Sequence, residues 1–328
     1  MQCVVGGCCT YGKVGVEMRI AIMGYGLWAC EAFRALQADG HTIVGVVPTS
    51  DERDAERQEY YRRLRAHGLY ESLTDIARAN GVQLLRPSDT DSDAFFRTLK
   101  ALGTDMIVSC GWRRILSGRL LDTFICVNIH GALLPNYGGR MPVAWALLNG
   151  ETETGVTVHL MTREIDAGPI LCQKSFSISD TDAVADVLRK GMALYPELLK
   201  DAVRRVLADG IDGNCQDTYA GSYWPPLTSH DGRIDWKTSA RDIYNLVRSQ
   251  SSPYPGAYTY CRRRRLVVQK ASLPPTNRRI SPISGIVFGK CQDGALKVTT
   301  GDGYIVLTQV CENENVITPT LRIGLRLG

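Results

Sequence analysis

MRIAIMGYGLWACEAFRALQADGHTIVGVV, residues 18 to 47, decides the fold. MRIAIM is a short apolar and β-branched run, a glycine-containing turn follows it, a helical pattern runs through Cys30 to Ala38, and TIVGVV is a second β-branched run. Strands separated by helical stretches argue for βαβ units and a parallel sheet. The alternation continues through VQLL, DMIVSC and FICVNI, the last ending at Ile129. In such a sheet ligands bind at the carboxyl edge, and FICVNI delivers the tetrapeptide NIHG there.

Downstream, GVTVHLM (155 to 161) and PILCQKSFSI (169 to 178) are two alternating runs joined by TREIDAG, a pair of strands around a loop. One long amphipathic helix is expected from Thr181 to about Ala208. NCQDTYAGSYWPP is then rich in Gly, Pro, Ser and aromatics and reads as a linker. The expected organisation is a disordered tail at 1–17, a catalytic domain at 18–210, a linker at 211–227 and a second domain at 228–328. That last part holds a short helix, SARDIYNLVRSQ, and turn-punctuated runs such as SPISGIVFGK, QDGALKVTT and GDGYIVLTQ, the pattern of a small β-barrel.

With 328 residues, 44% hydrophobic and 22% charged, the chain has room for two cores. No window approaches the roughly 18 apolar residues of a membrane span. A formal net charge of +4 is too small for a dedicated nucleic-acid binder. The 11 cysteines form no C-x-x-C pair and no secretory signal is evident, so the cytoplasm is the expected compartment. Adjacent Cys8 and Cys9 have no neighbouring partner ligand, and no metal is expected. Gly24, Gly26 and Ala29 match a dinucleotide fingerprint, but the second strand ends Val46, Val47, Pro48 and Asp51 comes late for a ribose-binding acid; the glycines are read as a tight turn. The mixed-charge stretch from Asp51 to Arg65 is read as a solvated helix with i,i+4 pairs.

Side chains two apart on a strand share a face, so Asn128 and His130 emerge together at the sheet edge. An amide can donate to an oxygen that gains negative charge, and an imidazole can move a proton near neutral pH. Asp166, in the loop EIDAG, is the candidate to orient the ring. On residue types alone, a structural strand-end histidine is the commoner reading.

The surrounding text adds a resemblance. NIHGALLPNYGGRMPVAWALLNGETETGVTVHLMTREIDAGPIL resembles the formyltransferases that use 10-formyltetrahydrofolate, over most of Met18 to Ala208. DGRIDWKTSARDIYNLVRSQSSPYPGAYTY is similar to the carboxyl-terminal domain of methionyl-tRNA formyltransferases and of the aminoarabinose formyltransferase. The resemblance implies an α/β fold: a Rossmann-like parallel-sheet formyltransferase domain followed by a small OB-like β-barrel domain. It implies that Asn128 stabilises the transition state, that His130 transfers the proton and that Asp166 supports the imidazole. It implies folate contacts at Arg114, Ile115 and Leu116, at Arg140, and at Thr162, Arg163, Glu164 and Ile165. Two departures concern the acceptor: Ala132 replaces the usual serine of the motif, and Gly138 stands where relatives carry an arginine.

The implied reaction moves a formyl group to a primary amine of a small metabolite, with a nucleotide-linked amino sugar favoured because the central segment looks closer to the aminoarabinose enzyme. Charged initiator tRNA is a less favoured acceptor, supported by Arg262 to Arg265 and by Arg278 with Arg279. The resemblance also admits a hydroxyornithine-type acceptor, or hydrolysis of formyltetrahydrofolate in place of transfer. Hydrolases of that kind place a regulatory domain first and no barrel after the catalytic part, the reverse of the layout here. Sequence leaves the oligomeric state open.

Overall fold

The computed structural model describes residues 17–49, 55–86, 90–276 and 280–328. Most of the expected tail, with Cys8 and Cys9, lies outside the described residues, as do Asp51, Arg278 and Arg279. Contacts divide the described residues into two compact units: those up to 142 and those in 153–177 and 188–224 form one, and those in 143–152, 178–187 and 225–328 the other.

The chain begins with β1 (Arg19–Gly24), α1 (Gly26–Ala38), β2 (Thr42–Pro48), α2 (Ala55–Ala66), α3 (Leu73–Ala79), β3 (Gln83–Leu84), α4 (Asp93–Ala101), β4 (Met106–Cys110), α5 (Gly118–Thr123) and β5 (Ile125–His130). After β6 (Gly138–Gly139) and α6 (Pro142–Leu148) come β7 (Glu153–Leu160), β8 (Ile170–Ser177), α7 (Val184–Met192), α8 (Tyr195–Asp209) and β9 (Tyr223–Trp224). The first unit holds one seven-stranded sheet of order β3-β2-β1-β4-β5-β7-β8. β1 to β5 are parallel, as the βαβ pattern requires, whereas β7 runs antiparallel to β5 and β8 antiparallel to β7. The parallel sheet read from sequence is therefore parallel-dominated, with a hairpin appended at one side. The short β7–β8 connection leaves no room for a crossover, which dictates that direction.

Strand centres are buried on both faces: β1 and β4 read as near-continuous apolar runs because helices cover both sides. Ala21, Met23, Ile107 and Cys126 pack with Phe95, Leu99, Leu116 and Leu120 of the α4–α5 side. α1 and α8 pack together, with Phe33, Leu36, Leu199 and Val203 fully buried. Two differences from the sequence reading are local. α1 begins at Gly26, four residues before Cys30. The single helix expected from Thr181 to Ala208 is two, α7 and α8, because Pro196 in the first turn of α8 cannot donate backward and so fits only a fresh helix start. From Ala55 on, the mixed-charge stretch is helical as expected, its first four residues lying outside the described ones: in α2, Glu59 accepts from Arg62 at 2.7 Å and from Arg63 at 2.5 Å.

The second unit carries α9 (Ala240–Gln250) and an antiparallel sheet of β10 (Ala257–Cys261), β11 (Arg264–Ser272), β12 (Val287–Lys290), β13 (Leu296–Thr299), β14 (Tyr304–Glu312) and β15 (Asn315–Val316). Ser239 caps α9 by accepting from Asp242 N at 3.0 Å, and Ile243 and Val247 pack against Leu266, Val268 and Leu307 of the sheet. Among the described residues all eight cysteines are free, and no helix is long and apolar enough to cross a membrane.

The turn between β1 and α1 explains the glycine pair of the rejected fingerprint. A Cβ on Gly24 would lie 2.1 Å from the Cys110 carbonyl oxygen, so only glycine lets β1 and β4 close at their carboxyl ends. Gly26 takes φ +62°, a left-handed conformation. Gly24→Ala is expected to lower unfolding free energy by about 2–4 kcal/mol, read from the urea midpoint, because backbone must move to admit the methyl; an unchanged midpoint would contradict this packing.

Candidate active site

Strand register brings three polar side chains into line. Ser109 on β4 pairs with Asn128 on β5, and Asn128 pairs with His159 on β7. Residues opposed across a ladder share a face. Ser109 Oγ donates to Asn128 Oδ1 at 2.8 Å, which fixes the amide so that its nitrogen faces the opposite way. Asn128 Nδ2 then lies 3.2 Å from His159 Nε2 and donates weakly to Asp166 Oδ1 at 3.5 Å. His159 donates its Nδ1 proton to the Leu160 carbonyl at 2.9 Å.

Asp166 approaches from the β7–β8 loop. Its Oδ2 lies 3.6 Å from His130 Nδ1 and accepts from the Gly139 N–H at 2.8 Å; its Oδ1 lies 3.4 Å from His159 Nε2. On the far side of the ring, His130 Nε2 is 2.8 Å from the Tyr137 carbonyl. A carbonyl only accepts, so Nε2 carries the proton in the neutral ring and Nδ1 is the free base. Orientation of the ring is thus set by Tyr137 O, and the contact to Asp166 is an ion-pair distance rather than a hydrogen bond.

The electrostatics follow from burial. His130 is buried, and loss of hydration lowers its pKa below the usual value; Asp166 opposes this, as does the bond to Tyr137, without cancelling it. Burial pushes the Asp166 carboxyl up, but the His159 contact, the His130 ring and the Gly139 N–H together pull it down to about 2. The result is an ionised carboxylate beside a neutral imidazole, whose acquired proton the carboxylate would stabilise.

The backbone here is tightly constrained. Tyr137, Met141 and Asp166 all have φ between 54° and 59°, uncommon for residues with side chains and costly unless the surroundings hold them. Gln216 Nε2 donates to Asp166 O at 2.9 Å and Gly168 O at 2.6 Å. Ser222 Oγ accepts from Tyr137 N at 2.9 Å, and β9 pairs with β6. A Cβ on Gly139 would meet Trp224 O at 2.3 Å, and a Cβ on Gly138 would sit 3.7 Å from Asp166 Cβ. The stretch read from sequence as a linker therefore walls the site up to Trp224.

The remaining expected positions fall on two loops. Arg114 and Ile115 follow β4 and are exposed, Ile115 by 68%. Leu116 instead joins the α4–α5 core at 3% exposure, so its side chain is taken. Arg163 pairs with Asp122 at 2.7 Å, Thr162 Oγ1 donates to the Glu164 carbonyl at 3.0 Å, Glu164 is exposed and Ile165 is 50% exposed. Arg140 is exposed beside Gly139. Ser109, His159, Gln216 and Ser222 escaped the sequence reading. The signal for His159 was a polar pair, Thr157 and His159, at period 2 inside a buried strand. Among the described residues no cluster of His, Cys, Asp and Glu could hold a metal ion.

Asn128, His130 and Asp166 thus meet at the carboxyl end of β5 in a sheet of mixed direction. The formyl transferase family matches residues 18–203 and the family's C-terminal domain matches residues 226–320; the chain belongs to the formyl transferase family. Three solved structures share the fold. An N-formyltransferase from Helicobacter canadensis, in complex with folinic acid and dTDP-3-aminofucose, is 19% identical with a TM-score of 0.67 and covers 90% of this chain and 100% of its own. WlaRD, a sugar 3N-formyl transferase crystallised with dTDP and 5-N-formyl-THF, is 17% identical with a TM-score of 0.66, over 92% and 100%. HypX from Aquifex aeolicus, in complex with tetrahydrofolic acid, is 18% identical with a TM-score of 0.58, over 91% of this chain and 45% of its own.

Because His130 is held neutral, the acid limb of the kcat/KM profile for formyl transfer is expected below pH 6.5, the ordinary histidine value. Asp166→Asn removes the charge that raises the ring's pKa, so the limb should move to still lower pH while the rate falls. A limb above about pH 7, or one that Asp166→Asn leaves in place, would contradict the assignment.

Proposed function

We propose that the chain transfers the formyl group of 10-formyltetrahydrofolate to a primary amine, with a nucleotide-linked amino sugar as acceptor. The observation that carries this reading is the convergence of the Asn128 amide, the His130 Nδ1 lone pair and the Asp166 carboxylate within one buried cluster. The amine attacks the formyl carbon and forms a C–N bond. Asn128 Nδ2 turns its longer contact from Asp166 to the developing oxyanion. His130 Nδ1 takes the amine proton, and the imidazolium arises 3.6 Å from Asp166. Collapse breaks the bond to the folate nitrogen, which receives that proton. No metal is needed for this balance.

The folate is assigned to the loops after β4 and between β7 and β8. Ile115 and Ile165 are large apolar side chains left in water, a cost that an apolar ring system covering them would remove. Arg114, Arg140, Thr162 and Glu164 surround them in this reading. Leu116 and Arg163, whose side chains are engaged elsewhere, contribute backbone. The catalytic domain is taken as residues 18–210, the connector as 211–227 and the accessory domain as 228–328. Free thiols throughout the described chain favour the cytoplasm.

The two sugar N-formyltransferases that share the fold support an amino-sugar acceptor over tRNA. So does the arginine run of the second unit. Arg264 is neutralised by Glu312 at 2.7 Å, and Arg265 stacks 4.2 Å from the Tyr258 ring centroid. The test is formyl transfer to dTDP- and UDP-linked amino sugars, hydroxyornithine and charged initiator tRNA, with formate release as control. A nucleotide sugar is expected to give the highest kcat/KM; preference for tRNA, or formate release that no amine accelerates, would overturn the acceptor.

His130→Ala is expected to abolish transfer with folinic acid binding nearly intact. Asn128→Ala should cost about a hundredfold in kcat, about 3 kcal/mol, as for a lost oxyanion donor. Ser109→Ala should lower kcat about tenfold, since it frees the amide to rotate but leaves it present. Turnover near the parent rate in His130→Ala would remove the ring from the mechanism.

A further inference from the structure

The two residues of β9 serve opposite faces of a short ladder, and the transfer described above accounts for only one of them. Trp224 stacks on the Tyr137 ring, centroids 6.0 Å apart and planes 15° apart, and its Nε1 donates to Ser222 Oγ at 3.1 Å. That ring braces the turn whose carbonyl orients His130. Tyr223 is paired in register with Gly138, so its side chain shares the face of that glycine. One edge of the Tyr223 ring lies along the glycine pair: a Cβ on Gly138 would sit 3.6 Å from its Cδ2, and one on Gly139 3.1 Å from Cε2 and 3.0 Å from Cζ. The bare backbone of Gly139 is what admits the ring this closely.

A single exposed tyrosine is ordinary on a protein surface. This one is set apart by its place. The Cβ position of Gly138 lies 3.7 Å from Asp166 Cβ as well as 3.6 Å from the Tyr223 ring, so the ring and the carboxylate flank one spot on one side of the ladder. The same glycine pair holds both, since the Gly139 N–H donates to Asp166 Oδ2 at 2.8 Å. Although the ring is seated against backbone, 59% of the residue stays exposed. An amine that gives its proton to His130 Nδ1 comes to an atom 3.6 Å from Asp166 Oδ2, so the body that carries the amine adjoins this corner. In a nucleotide-linked amino sugar that body is the sugar, because two phosphates hold the base at a distance.

We propose that Tyr223 is the acceptor-side platform of the site, the surface on which the pyranose ring of the amino sugar rests. This rests on the amino-sugar acceptor proposed above. A pyranose presents a face of C–H bonds whose hydrogens are slightly positive, and the face of a phenol ring is slightly negative, so the two attract as well as exclude water. The ring is already fixed against the glycine pair, so little freedom is lost when the sugar covers it. The folate rings are assigned above to Ile115 and Ile165, on loops that do not include β9, and the test has an arm for each ligand.

Steady-state formyl transfer to dTDP- and UDP-linked amino sugars would be measured on the full chain for the parent, Tyr223→Ala, Tyr223→Phe and Tyr219→Ala. Tyr219 is a fully exposed tyrosine of the same segment and serves as control. Titration calorimetry on the same proteins reads folinic acid and the nucleoside diphosphate of the preferred sugar. Tyr223→Ala is expected to raise KM for the amino sugar about 10-fold with kcat nearly unchanged. Tyr223→Phe should restore the parent KM, and Tyr219→Ala should leave it in place. Affinity for folinic acid and for the nucleoside diphosphate should not change, since neither carries the pyranose. Thermal melts check folding; should Tyr223→Ala fail to fold, Tyr223→Leu keeps an apolar cover on the glycine pair, loses the aromatic face and should still raise KM. A KM that rises no more than in Tyr219→Ala, that Tyr223→Phe fails to restore, or that is matched by an equal loss of folinic acid or nucleoside diphosphate affinity overturns the platform alone. A parent that formylates no amino sugar overturns the acceptor reading and the platform with it.

Discussion

A nearly buried carboxylate with no lysine or arginine paired to it among the described residues is the constraint around which the first unit is organised. Asp166 is 10% exposed at its side chain; its oxygens accept from the Asn128 amide and the Gly139 N–H and lie 3.6 and 3.4 Å from the His130 and His159 rings. These groups come from β5, β7 and the β6 turn, and the carboxylate itself from the β7–β8 loop. The β5 strand end, β7, the β6 turn and the β7–β8 loop must therefore all be in place for the charge to be tolerated. In turn, the left-handed conformations at Tyr137 and Asp166 persist because Ser222 and Gln216 tie down their backbone.

The same arrangement gives the site its chemical asymmetry. His130 uses its Nε2 proton on a carbonyl and presents Nδ1 as base, whereas His159 uses Nδ1 on a carbonyl and presents Nε2 to Asn128 and Asp166. One carboxylate thus faces the unprotonated nitrogen of each neutral ring, Nδ1 of His130 and Nε2 of His159. Thr157 supports the turn from below: it donates to Ala132 O at 2.6 Å and accepts from Leu134 N at 3.2 Å, which fixes the chain leaving His130. The methyl of Ala132 is fully buried there, so the departure from the family's serine is accommodated as packing.

What could be read from the residues depended on range. The βαβ alternation and the shared face of Asn128 and His130 are short-range periodicities, and both are present in the fold. Asp166 was placed by the resemblance and by its loop. Ser109 and His159 required strand register, which a single sequence leaves undefined until the pairing order is known. Gln216 and Ser222 sat in a Gly- and Pro-rich stretch whose composition signals a connector, although its backbone pairs with β6. The direction of β7 and β8 was likewise hidden, because alternation is the same read either way. Pro196 did mark the break between α7 and α8, but the apolar periodicity on either side masked it.

The central claim is that the two histidines hold opposite tautomers around one carboxylate, with His130 basic at Nδ1. Nitrogen-15 NMR of the imidazole rings, titrated from about pH 4 to about pH 9 so as to bracket the histidine range and assigned with His130→Gln and His159→Gln, reads this directly. The account predicts a proton on Nε2 of neutral His130, titration below the ordinary histidine range, and a proton on Nδ1 of His159. A neutral His130 that carries its proton on Nδ1, or that titrates above the ordinary range, would contradict it.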